Sequence, residues 1–253
     1  MKNSIVDYWV TGSSGHIGQA LTKELLGRGF SVLGIDQSPH SGNQDKGFSY
    51  ISLDLSNTKE LERAISELPK PQRGLIHLAA LTGPIILDGW GGTLEAQSLE
   101  IWEKAFSVNL TSAFLLAREA VKLAMDPTPQ AGSVFSIVFA SSIYGTLGPN
   151  PSLYKDSEMK NPAAYGASKA ALESLARYIS STYGGKVRAN SVAAGGVLRN
   201  QTPDFIDEYS RRTPIGRMAT EEDILKVVLF LLTDESRYVF GQTIYADGGF
   251  TLW

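Results

Sequence analysis

Tyr165 and Lys169 are the residues whose types and spacing most directly suggest chemistry. They stand four positions apart at the start of a helical pattern, Ala163–Tyr183, and so share one helix face. A lysine ammonium beside a phenol favours the phenolate and lowers its pKa from about 10 toward the working range. A phenol tuned in this way can give or take a proton at a carbonyl or carbinol oxygen. Tyrosine and lysine meet at this spacing in many helices by chance, so the pair draws its weight from its company. Ser142 follows an apolar run at 133–140, and Asn109 sits between Val108 and Leu110 in an apolar helical pattern. Such an amide is either a buried structural group or a kink that holds a water in a proton relay.

A second constellation lies near the N-terminus. Residues 11–18 read TGSSGHIG, after a strand-like run and at the opening of a helical one. In that context glycines let the backbone turn sharply and approach a pyrophosphate, and the helix N-terminus offers unpaired N–H groups. Asp36 ends the next strand-like run, 18 positions past Gly18. A carboxylate there accepts hydrogen bonds from ribose hydroxyls and repels a 2′-phosphate. No lysine or arginine lies within 12–18 or directly after Asp36, so NAD is expected over NADP. Asp54, in the LDL at 53–55, could reach an adenine amino group; a turn-capping aspartate is the plainer alternative.

The elements that must position these residues alternate. Residues 8–10, 31–36, 48–55, 74–80, 133–140, 186–192 and 242–246 read as strands, and 16–26, 59–67, 99–125, Ala163–Tyr183 and Glu221–Leu232 carry apolar residues at helical spacing. This alternation predicts an α/β fold: a Rossmann-type, doubly wound parallel sheet of about seven strands with helices on both faces, in one domain over 1–253. Two stretches resist the pattern, the proline-rich 146–162 and the arginine-bearing 195–217. Both are expected to be substrate loops past the carboxyl ends of strands.

Composition narrows the possibilities. The 253 residues are 43% hydrophobic and 19% charged, with a net charge of −3, which does not favour a polyanion as partner. With no cysteine there are no disulfides, thiolate metal sites or cysteine nucleophiles. The three histidines, His16, His40 and His77, lack metal-ligand spacing, so no metal is expected. Residues 1–10 do not read as a signal peptide, and the longest apolar run, 227–232, is far too short to span a bilayer. A cytoplasmic protein is expected.

Taken together, the TGSSGHIG loop, Asp36, the LDL aspartate, Asn109 in VNL, Ser142 in ASSIYG, YGASK at 165–169 and the C-terminal GQTIYADGGF resemble the short-chain dehydrogenase/reductase family over nearly the whole chain. The resemblance implies an NAD(P)-dependent oxidoreductase that interconverts a secondary alcohol and a ketone. Tyr165 would be the general acid/base. Lys169 would lower its pKa and bond the nicotinamide ribose. Ser142 would orient the substrate oxygen, and Asn109 would serve the relay. Ser142 is preferred to Ser141 because the family's serine stands three residues before the glycine matching Gly145. The cofactor surface it implies begins with Gly12, Ser14, Gly15, His16, Ile17 and Gly18. It continues through Asp36, Asp54, Leu55, Ala79, Ala80 and Val197, and meets Tyr165 and Lys169. Relatives also imply a homodimer or homotetramer, paired through 99–125, Ala163–Tyr183 and the apolar C-terminus with Phe250, Leu252 and Trp253.

The chain departs from the compact branch of that family at several points. Gly15 gives the loop TGxxGxxG, and HLAA at 77–80 replaces NNAG; both are similar to the branch that acts on nucleotide sugars. Ser142 and Tyr165 lie 23 positions apart, a long connection; Ala194 stands where proline is usual, and Arg199 where threonine is common. The length nevertheless matches the compact branch, and the mixture resembles reductases of surface-sugar and flagellin-glycan pathways. A polar, anionic or phosphorylated sugar derivative is therefore the expected substrate. Arg199, Asn200, Gln201, Arg211 and Arg212 in one loop, with Tyr154 and Lys155 in the other, would hold it. The plainer alternative leaves Arg211 and Arg212 solvated and Arg217 structural. Two rival functions remain: an NAD-binding protein without catalysis, and a nucleotide-sugar epimerase or dehydratase that returns its hydride to a retained NAD.

Overall fold

The computed structural model describes residues 4–38, 45–81, 90, 92–126, 134–154 and 161–253. His40, Lys155 and Ser133 lie outside the described residues.

Seven strands form one sheet: β1 Ile5–Thr11, β2 Val32–Asp36, β3 Phe48–Ser52, β4 Lys70–His77, β5 Phe135–Ser142, β6 Val187–Ala194 and β7 Thr243–Ala246. Their order is β3-β2-β1-β4-β5-β6-β7, and every pairing is parallel. Strands buried along nearly their whole length, such as β5 (FSIVFASS), suit this layout, because a parallel sheet is covered on both faces. The helices are α1 His16–Gly27, α2 Thr58–Ala64, α3 Leu99–Phe106, α4 Ser112–Ala124, α5 Ala163–Tyr183, α6 Pro203–Arg212 and α7 Glu221–Leu232. On one face Trp9, Leu33, Leu75 and Phe139 pack against α2, α4 and α5. On the other Val10, Ile76, Val138 and Val192 pack against α1 and α7. The strand order reverses between β1 and β4, the crevice where open α/β sheets bind ligands.

Two sequence expectations are corrected. The stretch 195–217, read as irregular, contains α6. Its start and stop signals were present: Thr202 caps it by accepting from Phe205 N, Pro203 opens its first turn, Asp204 follows, and Arg211 and Arg212 close it. The run 48–55 ends as a strand at Ser52, and Asp54 lies in a turn, where its Oδ1 accepts from Ser56 N at 2.8 Å. The pattern at 99–125 is helical throughout, but α3 and α4 are joined by a π turn, Ser107–Thr111, centred on Asn109. Among the described residues no helix is long and apolar enough to cross a membrane, and no His/Cys/Asp/Glu cluster could hold a metal.

Candidate active site

A cavity of about 720 Å³ opens past the carboxyl ends of β1, β4, β5 and β6. Gly12, Gly15, His16, Ile17, Gly18 and Asp36 line one end; Asp54, Leu55, Ala79, Ala80 and Val197 continue along it. Ser142, Tyr154, Tyr165, Lys169 and Arg199 line the other part of the same cavity. Ser14 and Asn200 are not among its lining residues.

The glycine end is shaped by absent side chains. Gly12 has φ +67°, and a Cβ there would come within 2.8 Å of Ala79 N. A Cβ on Gly18 would stand 2.0 Å from the Gly12 carbonyl oxygen, so only glycine lets α1 begin this close to the loop. The α1 N-terminus has no capping side chain, whereas α2, α3, α6 and α7 are capped by Asn57, Ser98, Thr202 and Thr220. Its first-turn N–H groups at His16 and Ile17 therefore face the cavity without a partner from a capping residue, as an anion site requires. Ser14 has a supporting place: its N–H donates to Asp36 Oδ2 at 3.0 Å, while Ser38 N donates to Oδ1 at 3.0 Å. These two bonds fix the Asp36 carboxylate and leave it acceptor sites toward the cavity. An uncapped helix start, a glycine cradle and an anchored carboxylate together fit a dinucleotide.

At the other end the helix α5 delivers Tyr165 and Lys169. Lys169 is 2% exposed; its Nζ donates to the Ala140 carbonyl at 2.6 Å and lies 5.7 Å from the Tyr165 ring centroid. Burial pulls its pKa down from 10.5 to about 7. Tyr165 does not follow the expected direction. Burial pushes its phenol up, against a smaller lowering from its hydrogen bond with Ser142. The ammonium that was expected to lower the phenol is instead turned to a backbone carbonyl. Ser142 lies within hydrogen-bonding reach of Tyr165, and its Oγ also accepts from Tyr144 N at 3.3 Å. Ser141 points elsewhere, bonding Glu173 Oε1 at 2.7 Å and the Lys169 carbonyl at 3.1 Å.

Asn109 does not line the cavity and is fully buried. Its Oδ1 accepts from Leu81 N at 2.7 Å, and its Nδ2 donates to Ser168 Oγ at 2.9 Å. Ser168 then donates to the Tyr165 carbonyl at 2.8 Å. The amide side chain is thus tied to Leu81 and Ser168 from within a π turn that kinks the helical run.

The arginines do not form the expected anion clamp. Arg199 pairs with Glu221 at 2.6 Å, Arg211 with Glu208 at 2.5 Å and Arg212 with the same Glu208 at 2.7 Å. Arg217 grips Asp223 with both terminal nitrogens, 2.7 and 3.1 Å, a structural pairing. Gln201 turns back to bond Arg199 N and Val197 O. Tyr154, expected at the substrate, lines the cavity within an aromatic wall whose other members, Tyr144, Phe205 and Tyr209, sequence reasoning missed. The Tyr144 and Tyr154 hydroxyls hydrogen-bond each other. Phe205 and Tyr209 of α6 pack beside them, with Tyr209 stacked on Phe250. Burial raises all three tyrosines, Tyr209 to about 12, so the wall is neutral. The signals were the helical spacing of Phe205 and Tyr209 and the place of Tyr144 two residues after Ser142.

Residues 12–251 match the family model described as enoyl-(acyl carrier protein) reductase. The chain is a short-chain dehydrogenase/reductase. As such it belongs to a family of oxidoreductases acting on alcohol and carbonyl groups. This short-chain dehydrogenase/reductase is 28% identical to a post-translational flagellin modification protein A of Campylobacter coli, over 100% of both chains. It is also 28% identical to a 7alpha-hydroxysteroid dehydrogenase of Bacteroides fragilis, over 96% of this chain and 93% of that protein. Among solved structures, a short-chain dehydrogenase from Leptospira borgpetersenii with bound NAD+ superposes with a TM-score of 0.81. Their identity is 29%, over 99% of this chain and 94% of that one.

Proposed function

We propose that this enzyme uses NAD(H) to interconvert a secondary alcohol and a ketone on a sugar derivative. The observation that carries the reading is one cavity with two ends: the uncapped α1 N-terminus and anchored Asp36 at one, and Ser142, Tyr165 and Lys169 at the other. A bound nicotinamide would supply or take up the hydride. Tyr165 gives or takes the proton at the substrate oxygen, and Ser142 orients that oxygen and stabilises its developing charge. Lys169 keeps two of its three donors for the cavity after bonding Ala140 O. NAD is preferred to NADP because Asp36 and Asp54 line the cavity, and no lysine or arginine lies within 12–18 or directly after Asp36.

A hydroxylated substrate is supported by the neutral Tyr144–Tyr154 hydroxyl pair and by the full-length similarity to the flagellin modification protein. With Arg199, Arg211 and Arg212 already paired to carboxylates, recognition of an anionic group by that loop loses its support. A steroid-like substrate is the second reading, favoured by the apolar lining of Trp90, Phe205 and Met218. A screen of NAD+ reduction separates them: turnover of sugar and nucleotide-sugar alcohols supports the first, and turnover of hydroxysteroids alone supports the second. An enzyme that retains NAD and shows no net cofactor change would instead be an epimerase or dehydratase. Self-association in the cytoplasm completes the proposal, since Leu252 and Trp253 are 72% and 81% exposed.

A further inference from the structure

His77 is a fully buried titratable group that the catalytic proposal leaves unused. It ends β4 and pairs in register with Thr11, the last residue of β1. Both project to the sheet face that carries α4 and α5, as Trp9 and Leu75 do two residues earlier. His77 Nδ1 lies 3.0 Å from Thr11 Oγ1, and that oxygen also accepts from Ala79 N at 3.2 Å. The Thr11 hydroxyl is itself fully buried, and its proton has no other acceptor among the described residues. It therefore donates to Nδ1. Nδ1 is then an acceptor, and the neutral ring carries its own proton on Nε2.

Burial, with the charge of Lys169 acting in the same direction, pushes the ring pKa down to about 3, so the ring is neutral throughout the working range. The Nε2 tip faces the backbone carbonyls of Val108 and Asn109 in the π turn, yet no bond of ordinary geometry closes there. A buried N–H aimed at carbonyls is a costly group to leave loose. The Val108 carbonyl is already held by Ser112 Oγ at 2.6 Å.

We infer that His77 is a positioning residue: in its Nε2–H form it is a strut between Thr11, which precedes the glycine loop, and the π turn that carries Asn109. It rests on the reading of the site proposed above for its catalytic meaning, but not for its geometry. Through this strut, the loop at one end of the cavity and the helix junction behind Tyr165 hold a common position.

The test uses the whole chain. Long-range 1H–15N correlation spectra, with the His77 signal assigned from His77→Gln, should show the Nε2–H tautomer, unchanged between pH 5 and pH 9. A Nδ1–H or protonated ring overturns the inference. Amide exchange of residues 107–113 supplies a second readout. Glutamine places an N–H donor where Nε2 stands, whereas asparagine reproduces only the Nδ1 position. Exchange should stay within about 3-fold of the parent in His77→Gln and rise at least about 10-fold in His77→Asn and His77→Leu. Parent-like protection in His77→Leu would show a ring that only fills space, and would overturn the strut. If the variants do not fold, the tautomer of the parent protein decides alone. Neither readout uses turnover: retained activity in Tyr165→Phe would remove the catalytic reading and leave the strut standing.

Discussion

Asn109 and Ser168, 59 positions apart in the chain, are joined by a 2.9 Å hydrogen bond from the amide Nδ2 to the hydroxyl. This bond ties the π turn to the first turns of α5, because Ser168 also holds the Tyr165 carbonyl. Asn109→Leu would leave the partly buried Leu81 N–H without its acceptor. Urea unfolding should show a loss of about 1–3 kcal/mol, and turnover should fall as Tyr165 loses its support. Ser168→Ala should show a smaller effect of the same sign, since Leu81 keeps its partner.

Tyr165→Phe removes one hydroxyl and keeps the ring. Turnover should drop by about 10²–10⁴-fold, with NAD binding by calorimetry unchanged. Burial holds the phenol of the free protein above its ordinary pKa. Alcohol oxidation, which needs the phenolate, should therefore rise in kcat/KM through the alkaline range, while carbonyl reduction should persist at neutral pH. A profile that is flat in both directions would contradict Tyr165 as the proton carrier.

Asp36→Ala should weaken NAD(H) at least about tenfold in a fluorescence titration, the loss of one to two charge-assisted hydrogen bonds. Removing the carboxylate also removes its repulsion of a 2′-phosphate, so the preference for NAD over NADP should narrow. Unaltered discrimination would place the selecting charge elsewhere.

The buried Lys169 makes stability depend on pH. Its pKa is about 7 in the folded protein against an ordinary 10.5. Between these values the unfolded chain binds the proton and the folded chain releases it. Stability of the cofactor-free protein should therefore rise with pH from about 7 to about 10.5, and be lowest below 7, where the folded state holds a buried charge. Lys169→Met should flatten this slope in Tm measured at pH 7 and pH 10, relative to the parent.

Tyr144→Phe and Tyr154→Phe test substrate recognition. Each deletes one half of a neutral hydroxyl pair. Either should raise KM for a polyhydroxylated substrate about tenfold, near 1.4 kcal/mol, and leave an apolar alcohol unaffected. Arg199→Ala, whose guanidinium is already paired with Glu221, should not change the preference between neutral and carboxylated substrates.

Ser142 joined the site through the family resemblance; the sequence by itself determined the alternating strands and helices, the glycine loop, Asp36, and the shared helix face of Tyr165 and Lys169. These are local matters. A strand, a glycine turn into a helix and an i,i+4 pair are written in adjacent residues, and a parallel sheet gathers strand ends at one edge. Tertiary structure alone decided how those groups are charged and what surrounds them. Lys169 and Tyr165 looked like an ammonium lowering a phenol, but burial acts on each more strongly than either acts on the other. Arg199, Arg211 and Arg212 looked like a clamp until Glu221 and Glu208 met them in space. Asn109, Ser168, Thr11 and His77 are far apart in the chain, and no local pattern says that they touch. Desolvation and long-range pairing depend on which surfaces the folded chain brings together, and that information is absent from spacing.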